Sequence, residues 1–238
     1  MALLQIRNRT PGIMGSKRRN IRLLDVKKRI GYYIDRSVYM LTQEMQPMKS
    51  NVKQKIIETA SELFQIKGIG ATGLSEILQR SGAPKGSLYY YFPGGKEALV
   101  EAAAENAARI ICEKIQEGMA DEKDPVHAVQ HVIEGMEKAL SREGRLHNLS
   151  ISLIALETYL SDDRLRGVCH KAFLAMERLY AERMKLGGIP SPKAEELGCV
   201  IQSLIEGALI LSVTGRDNRP LRAAGMQVAW LIRRHQQG

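Results

Sequence analysis

Residues 89–92 form an aromatic run with the sequence YYYF, although the chain of 238 residues has only twelve aromatic side chains (eight Tyr, three Phe and one Trp). A tyrosine hydroxyl can donate a hydrogen bond to a phosphate oxygen, and its ring can pack on a sugar or a base. Lys85 and Gly86 precede the run and supply a positive charge and a backbone that can approach a partner closely. These residue types indicate a surface that binds nucleic acid.

Three short helices are predicted to position this run. The first covers 51–67 and ends at Gly68, the second ends at Gly82, and the third covers about 84–92. A short helix, a tight turn at Gly82 and a second short helix form the layout of a helix-turn-helix. The second helix of that motif lies in the major groove of DNA.

Helical geometry divides the aromatic run between two faces, because successive residues turn by about 100°. Leu88 and Phe92 share the face that is expected to anchor the helix, with Tyr91 close to it. The opposite face is expected to carry Gly86, Ser87 and Tyr90, with Tyr89 on the flank. The alternative that all four rings fill a core conflicts with this geometry, since neighbours on a helix cannot all face inward.

The formal net charge of +9 belongs to the N-terminal part of the chain. Residues 1–47 carry ten Lys and Arg against three Asp and Glu, residues 48–100 carry a net +3, and residues 101–238 a net −1. A polyanion should therefore meet the first hundred residues. Because Met48 opens a complete helical domain, we interpret 1–47 as an upstream extension or a non-native leader; a DNA-gripping arm is the alternative.

The segment 71–100, with the sequence ATGLSEILQRSGAPKGSLYYYFPGGKEALV, resembles the DNA-binding segment of the TetR family of bacterial transcriptional repressors. The positions that carry the resemblance are Thr72, Gly82, Lys85, Gly86, Leu88, Tyr89, Tyr91, Phe92, Lys96 and Glu97. The chain departs from the pattern at Gly73 and Pro84, where many members have Ser or Thr, so no hydroxyl is available there for a cap or a contact. Part of the segment is similar to the branch of multidrug- and antibiotic-responsive repressors.

The resemblance implies a helix-turn-helix domain at 48–95 and a larger helical domain at 96–238 that binds a ligand and forms a homodimer. It implies a repressor that binds a near-palindromic double-stranded DNA operator and is released by a small, apolar effector. The predicted DNA contacts are Thr72, Pro84, Lys85, Gly86, Ser87, Tyr89, Tyr90, Tyr91 and Lys96.

Apolar residues recur at helical spacing almost everywhere and at strand spacing almost nowhere, which predicts an all-α protein. A longer fourth helix is expected after residue 95, followed by helices at about 125–141, 147–160, 163–186, 193–214 and 221–235. The helix at 193–214 is apolar around much of its circumference, and the helix at 221–235 has an apolar stripe along one side. Such surfaces must be covered by other helices or by a second subunit. The homodimer interface is therefore expected at 193–214 and 221–235.

Candidate ligand contacts are polar or soft side chains within apolar helical stretches: Cys112, Met136, Glu157, Cys169, Phe173, Met176, Gln202 and Glu206. Each of these residue types is more often a core or surface residue than a ligand contact. His127 and His131 have the spacing of a helical metal pair, but no third His or Cys motif accompanies them. A solvated polar face is the preferred interpretation, and neither a metal nor another cofactor is expected.

Two other functional classes fit parts of the sequence. An enzyme would use Cys112 or Cys169, yet no Cys–His or Ser–His–Asp signature stands out, and no catalytic residue is predicted. A non-specific nucleic-acid binder would depend on the basic residues of 1–47, so deleting that segment would abolish its binding. A repressor would still recognise its operator after the same deletion.

Cysteine spacing and hydropathy favour a cytoplasmic protein. The three cysteines are far apart and form neither a disulfide framework nor a zinc pattern, which fits a reducing compartment. No uninterrupted apolar run approaches the roughly 18–20 residues of a membrane span, and the N-terminus lacks the apolar centre of a signal peptide. No membrane partner is expected.

Overall fold

The computed structural model describes residues 51–143 and 150–236, so the predictions for residues 1–47 lie outside it. Within the described residues there are nine α-helices and no strand, and the predicted all-α class is confirmed. The helices are α1 (Asn51–Ala71), α2 (Leu74–Ser81), α3 (Lys85–Tyr91), α4 (Gly95–Met119), α5 (Pro125–Glu143), α6 (Ile151–Thr158), α7 (Asp163–Leu186), α8 (Ser191–Gly215) and α9 (Arg219–Gln236).

Helix α1 is the support for α2 and α3. Its predicted apolar stripe is buried: Ile56, Ala60, Leu63 and Phe64. The stripe faces α2, α3 and the start of α4. Gly68 was predicted to end the helix and has the left-handed φ of 81° with ψ of 162°, but helical geometry resumes and continues to Ala71. The regular part of α1 therefore ends at Gly68, as predicted, and only a short helical segment follows across the kink.

Gly82 ends α2 in the left-handed conformation, with φ of 63° and ψ of 18°. A residue with a Cβ is strained there, so glycine suits the tight turn between α2 and α3. Pro84 follows with φ of −58° and ψ of 139°, and α3 begins at Lys85. This is the predicted helix-turn-helix arrangement.

The remaining helices form a bundle around α7. Helix α7 packs against α4, α5, α6 and α8, and α9 packs against α5 and α8. Gly198 permits a close approach of α8 to α7, because a Cβ at this position would lie 2.5 Å from the Glu177 carbonyl oxygen. Helix α4 packs on α1 as well as on α5 and α7, so it connects the helix-turn-helix to the bundle.

Helix α8 differs from the sequence expectation in one respect, since by length and composition it is apolar enough to cross a membrane. Core helices of soluble proteins share this composition, and the buried side of α8 packs on α7 and α9. Large apolar side chains of α8 and α9 also lie exposed in the single chain: Ile210, Leu211, Val213, Met226 and Trp230.

Candidate nucleic-acid interface and ligand cavity

Helix α3 is held by two buried side chains. Leu88 is 0% exposed and Phe92 is 2% exposed, and both belong to the apolar core around α1. Neither Gly73 before α2 nor Pro84 before α3 provides a side-chain cap, as the missing hydroxyls predicted. The position of α3 therefore depends on the burial of Leu88 and Phe92.

The opposite side of the helix is open to solvent, and we call it the α3 outer face. It consists of Lys85, Gly86, Ser87, Tyr89 and Tyr90. The side chain of Tyr90 is 79% exposed and that of Tyr89 is 52% exposed, whereas Ser87 is half-buried. A Cβ added at Gly86 would meet no atom of the chain within 4 Å. The predicted division of the aromatic run between two faces is confirmed.

Tyr91 lies between the two faces. Its half-buried ring packs edge-on against Tyr90, with centroids 4.9 Å apart and an angle of 78° between the planes. On its other side it approaches Phe92, with the centroids 6.5 Å apart. Edge-to-face pairs of this kind are favourable, so Tyr91 supports the orientation of the exposed Tyr90.

Two of the predicted DNA contacts are hydrogen-bonded within the segment 68–72, which we call the α1–α2 junction. The Thr72 side chain is buried, and its hydroxyl donates to the Gly68 carbonyl at 2.8 Å. Lys96, in the first turn of α4, donates from Nζ to the Gly70 carbonyl at 3.2 Å. In this conformation Thr72 lies in the interior rather than beside the α3 outer face, and the Lys96 ammonium ties α4 to the junction.

Glu157 reaches the same junction from the last turn of α6. Its carboxylate accepts hydrogen bonds from the backbone N–H groups of Ile69, at 3.3 Å, and Gly70, at 3.0 Å. Sequence reasoning placed Glu157 among the ligand contacts, but it lies outside the cavity described next. No sequence signal indicates this bond, because its partners are 87 and 88 residues apart.

A cavity of about 430 Å³ lies between α4, α5, α7 and α8, with the start of α6 at its edge. Its wall is mainly apolar and includes Ile115, Val132, Ile151, Ile205 and Leu209. Four predicted ligand residues line it: Met136, Met176, Gln202 and Glu206. The other four, Cys112, Glu157, Cys169 and Phe173, are not among the lining residues. An apolar cavity with a few polar groups is typical of a small-molecule site.

Two acidic residues line the cavity, and of these Glu206 is half-buried whereas Glu117 is exposed. One carboxylate oxygen of Glu206 accepts from Ser152 Oγ at 2.5 Å and the other from Gln202 Nε2 at 2.9 Å. Burial raises the pKa of Glu206, and the two hydrogen bonds oppose that rise. Gln202 also donates to Met176 Sδ at 3.4 Å, so three predicted ligand residues are joined in one hydrogen-bonded group.

Tyr180 is a cavity residue that sequence reasoning missed. Its side chain is fully buried, and its hydroxyl has no hydrogen-bond partner within the described chain. Burial raises the Tyr180 pKa far above its usual range, and the nearby charge of Glu206 adds to the rise. A single tyrosine on an apolar helix predicts an ordinary core residue, so only the tertiary structure distinguishes it.

Comparison with known proteins identifies the family. A family model described as "Bacterial regulatory proteins, tetR family" matches residues 56–103, and one described as "Transcriptional regulator LmrA/YxaF-like, C-terminal domain" matches residues 125–227. The chain is 38% identical over 186 residues to the HTH-type transcriptional regulator YxaF of Bacillus subtilis (strain 168), covering 78% of this chain and 97% of that protein. The chain belongs to the TetR family of bacterial transcriptional regulators.

Further relatives support the same membership. The chain is 35% identical over 182 residues to the HTH-type transcriptional regulator LmrA of Bacillus subtilis, covering 76% of this chain and 97% of the relative. Solved structures share the fold. A TetR regulator from Chloroflexus aurantiacus has a TM-score of 0.66 and 24% identity, and the match covers 76% of this chain and 94% of that chain. Reduced Escherichia coli NemR has a TM-score of 0.65 and 21% identity, and the match covers 75% of this chain and 95% of that chain. The resemblance predicted from residues 71–100 is therefore confirmed.

As a TetR-family member, the protein is a DNA-binding transcriptional regulator and not an enzyme. Two of the cysteines, Cys112 and Cys169, are buried. Burial raises the pKa of the Cys112 thiol to about 12 and that of the Cys169 thiol to about 11. The thiolate is the nucleophilic form of cysteine, and these pKa values keep both side chains protonated near neutral pH.

The histidine pair of this TetR-family regulator lies on the exposed side of α5, as expected for a solvated polar face. His131 Nδ1 is 3.6 Å from a Glu122 carboxylate oxygen, and Glu134 is 3.8 Å from Lys138 Nζ. Across residues 51–143 and 150–236, no three His, Cys, Asp or Glu side chains are grouped so that they could hold a metal ion.

Proposed function

We propose that this regulator is a cytoplasmic homodimeric repressor that binds a near-palindromic DNA operator and leaves it when a small effector enters the cavity. Residues 48–95 form the DNA-binding domain and residues 96–238 the effector and dimerisation domain. The α3 outer face is the observation that carries the proposal. It presents two exposed tyrosines and a lysine on a helix whose other side is fully buried.

Each member of the α3 outer face has a chemical role at the duplex. The exposed hydroxyls of Tyr89 and Tyr90 donate to phosphate oxygens or reach base edges. Lys85 attracts a phosphate by its charge, and Gly86 lets the backbone approach the duplex. Lys96 and Thr72 act indirectly, because their hydrogen bonds to backbone carbonyls hold the α1–α2 junction in place.

The dimer is expected to form through α8 and α9. Exposed Ile210 and Leu211 on α8 and exposed Met226 and Trp230 on α9 provide an apolar surface that a single chain leaves in water. Covering it with the same surface of a second copy gives a two-fold symmetric pair. The two α3 helices would then enter successive major grooves roughly 34–36 Å apart, which requires an operator with two related half-sites.

Helices α4 and α6 connect the cavity to the DNA-binding domain. Helix α4 lines the cavity with Ile115 and holds the α1–α2 junction with Lys96. Helix α6 carries Ser152, which donates to the cavity residue Glu206, and Glu157, which accepts from the junction. An effector releases DNA only if it binds the non-DNA-binding arrangement more tightly, and these two helices are the route by which it would select that arrangement.

Selection from a random duplex library with the full chain tests the function. The expected product is an inverted repeat whose half-site centres are about one helical turn apart, bound by two protomers in analytical ultracentrifugation. Recovery of duplexes with no shared sequence would contradict the proposal, as would specific binding by one protomer. Effector release is then measured as loss of the selected duplex on addition of candidate small molecules.

A further inference from the structure

The polar end of the cavity contains hydrogen-bonding capacity that the described chain does not use. Tyr180 lines the cavity, and its fully buried hydroxyl has no hydrogen-bond partner among the described residues. A buried polar group without a partner is destabilising, and a water, an ion or a ligand that bonds to it removes that cost. Its neighbour Glu206 accepts one hydrogen bond at each carboxylate oxygen and retains free lone pairs.

The charge of Glu206 also lacks a counter-ion within the described chain. Lys114, Glu117 and His131 line the same cavity, but all three side chains are exposed, and neither Lys114 nor His131 forms an ion pair with Glu206. His131 instead approaches Glu122. A carboxylate inside an apolar wall is destabilised until a cation or a proton neutralises it.

We propose that the effector is a protonated primary or secondary amine with an apolar body. Its ammonium group donates one N–H to the Glu206 carboxylate and another to the Tyr180 hydroxyl oxygen, and its body fills the wall formed by Ile115, Val132 and Leu209. The inference rests on the proposed function, in which this cavity receives the effector. An anion would be repelled by the Glu206 carboxylate, and a neutral molecule would leave that carboxylate without a counter-charge.

Isothermal titration calorimetry of the full chain at neutral pH, with three probes that share one apolar body, tests the inference. The probes are 4-phenylbutylamine, 4-phenylbutan-1-ol and N,N,N-trimethyl-4-phenylbutylammonium. We expect the amine to bind about ten- to hundredfold more tightly than the alcohol, which is the range for hydrogen bonds to charged groups. The trimethylammonium probe has the charge but no N–H, so it should fall between the two.

Three variants assign the preference to residues. Glu206→Gln keeps the side-chain shape and should reduce the amine-to-alcohol ratio to near one. Tyr180→Phe removes only the hydroxyl and should weaken the amine severalfold without changing the trimethylammonium probe. Glu134→Gln is the matched control, because Glu134 is exposed on α5 outside the cavity, and it should leave all three affinities unchanged.

The inference is overturned if the wild-type chain binds the amine no better than the alcohol, including the case in which it binds neither. It is also overturned if a folded Glu206→Gln variant keeps the preference. Operator binding by the same preparation separates this outcome from failure of the proposed function. Specific operator binding without an amine preference removes only the inference, whereas an amine preference without operator binding removes the repressor assignment.

Discussion

The α3 outer face and the cavity distribute polar groups in opposite ways. On α3 the polar side chains face solvent, and the apolar side chains Leu88 and Phe92 are fully buried. In the cavity, polar side chains such as Tyr180 and Glu206 lie inside an apolar wall, and the Tyr180 hydroxyl has no partner within the described chain. The first arrangement is stable without its ligand, whereas the second gives up stability that a bound ligand can restore.

Replacing the anchor of α3 should have the largest effect. Phe92→Ala is expected to lower the free energy of unfolding by about 3–5 kcal/mol, because it leaves a cavity beside α1. Urea titration followed by circular dichroism measures the change, and DNA binding should be lost with it. Tyr90→Ala removes an exposed ring and should stay within about 0.5 kcal/mol of wild type. Equal stability of Phe92→Ala and wild type would show that the two faces of α3 are wrongly assigned.

Removing an exposed ring should affect DNA and leave the fold intact. Tyr90→Ala is expected to weaken binding of the selected operator by about 1–3 kcal/mol, the range for a ring that stacks on or hydrogen-bonds to nucleic acid. A mobility-shift titration measures it. Leu186→Ala is the control for removal of a large exposed side chain, because Leu186 is 65% exposed and ends α7, which lies against the end of α4 opposite Lys96. A loss of the same size in both variants would remove Tyr90 from the contact set.

Gly86→Ala tests the close approach of the α3 backbone to DNA. The added methyl group meets open space in the free protein, so stability should stay the same or rise by up to about 1 kcal/mol. Operator affinity should fall by about tenfold, because the methyl group occupies the gap between backbone and duplex. Gly167→Ala on α7 makes the same change where nothing lies within 4 Å and should not affect DNA binding. An unchanged affinity for Gly86→Ala would argue against tight contact at this residue.

The smallest effect is expected at Glu157, which joins α6 near the cavity to the α1–α2 junction of the DNA-binding domain. Glu157→Ala removes the acceptor of the Ile69 and Gly70 amides and should lower local stability by about 1 kcal/mol. Hydrogen exchange at these two amides, followed by NMR, should accelerate about fivefold, while amides in the middle of α7 remain unchanged. Glu134→Ala serves as the control. Unchanged exchange at Ile69 and Gly70 would show that Glu157 does not hold the junction.

Most of the fold was predictable because helical spacing is a local property of the chain. The predicted helices at 163–186, 193–214 and 221–235 agree with α7, α8 and α9 to within two residues at each end. The prediction at 147–160 begins among residues outside the described part, and α6 ends at Thr158. The orientation of α3 followed from the turn of about 100° per residue and is confirmed by the exposures of Leu88 and Tyr90.

The binding sites were predictable to different degrees. Of the eight candidate ligand residues, four line the cavity, and the hydroxyl of Tyr180 went unnoticed. Glu157 was expected in the cavity and instead joins α6 to the α1–α2 junction. The local sequence pattern shows which residue types could bind a ligand. It contains no information about which distant helices come together.

The sequence by itself determined the all-α class, the helix-turn-helix and the faces of α3, because each depends on residues within a few positions of one another. Only the tertiary structure decided where the cavity lies, which polar groups enter it and how Lys96 and Glu157 reach the α1–α2 junction. Those features depend on the packing of helices that are far apart in the chain. That packing is set by the combined burial of many side chains, which no single segment specifies.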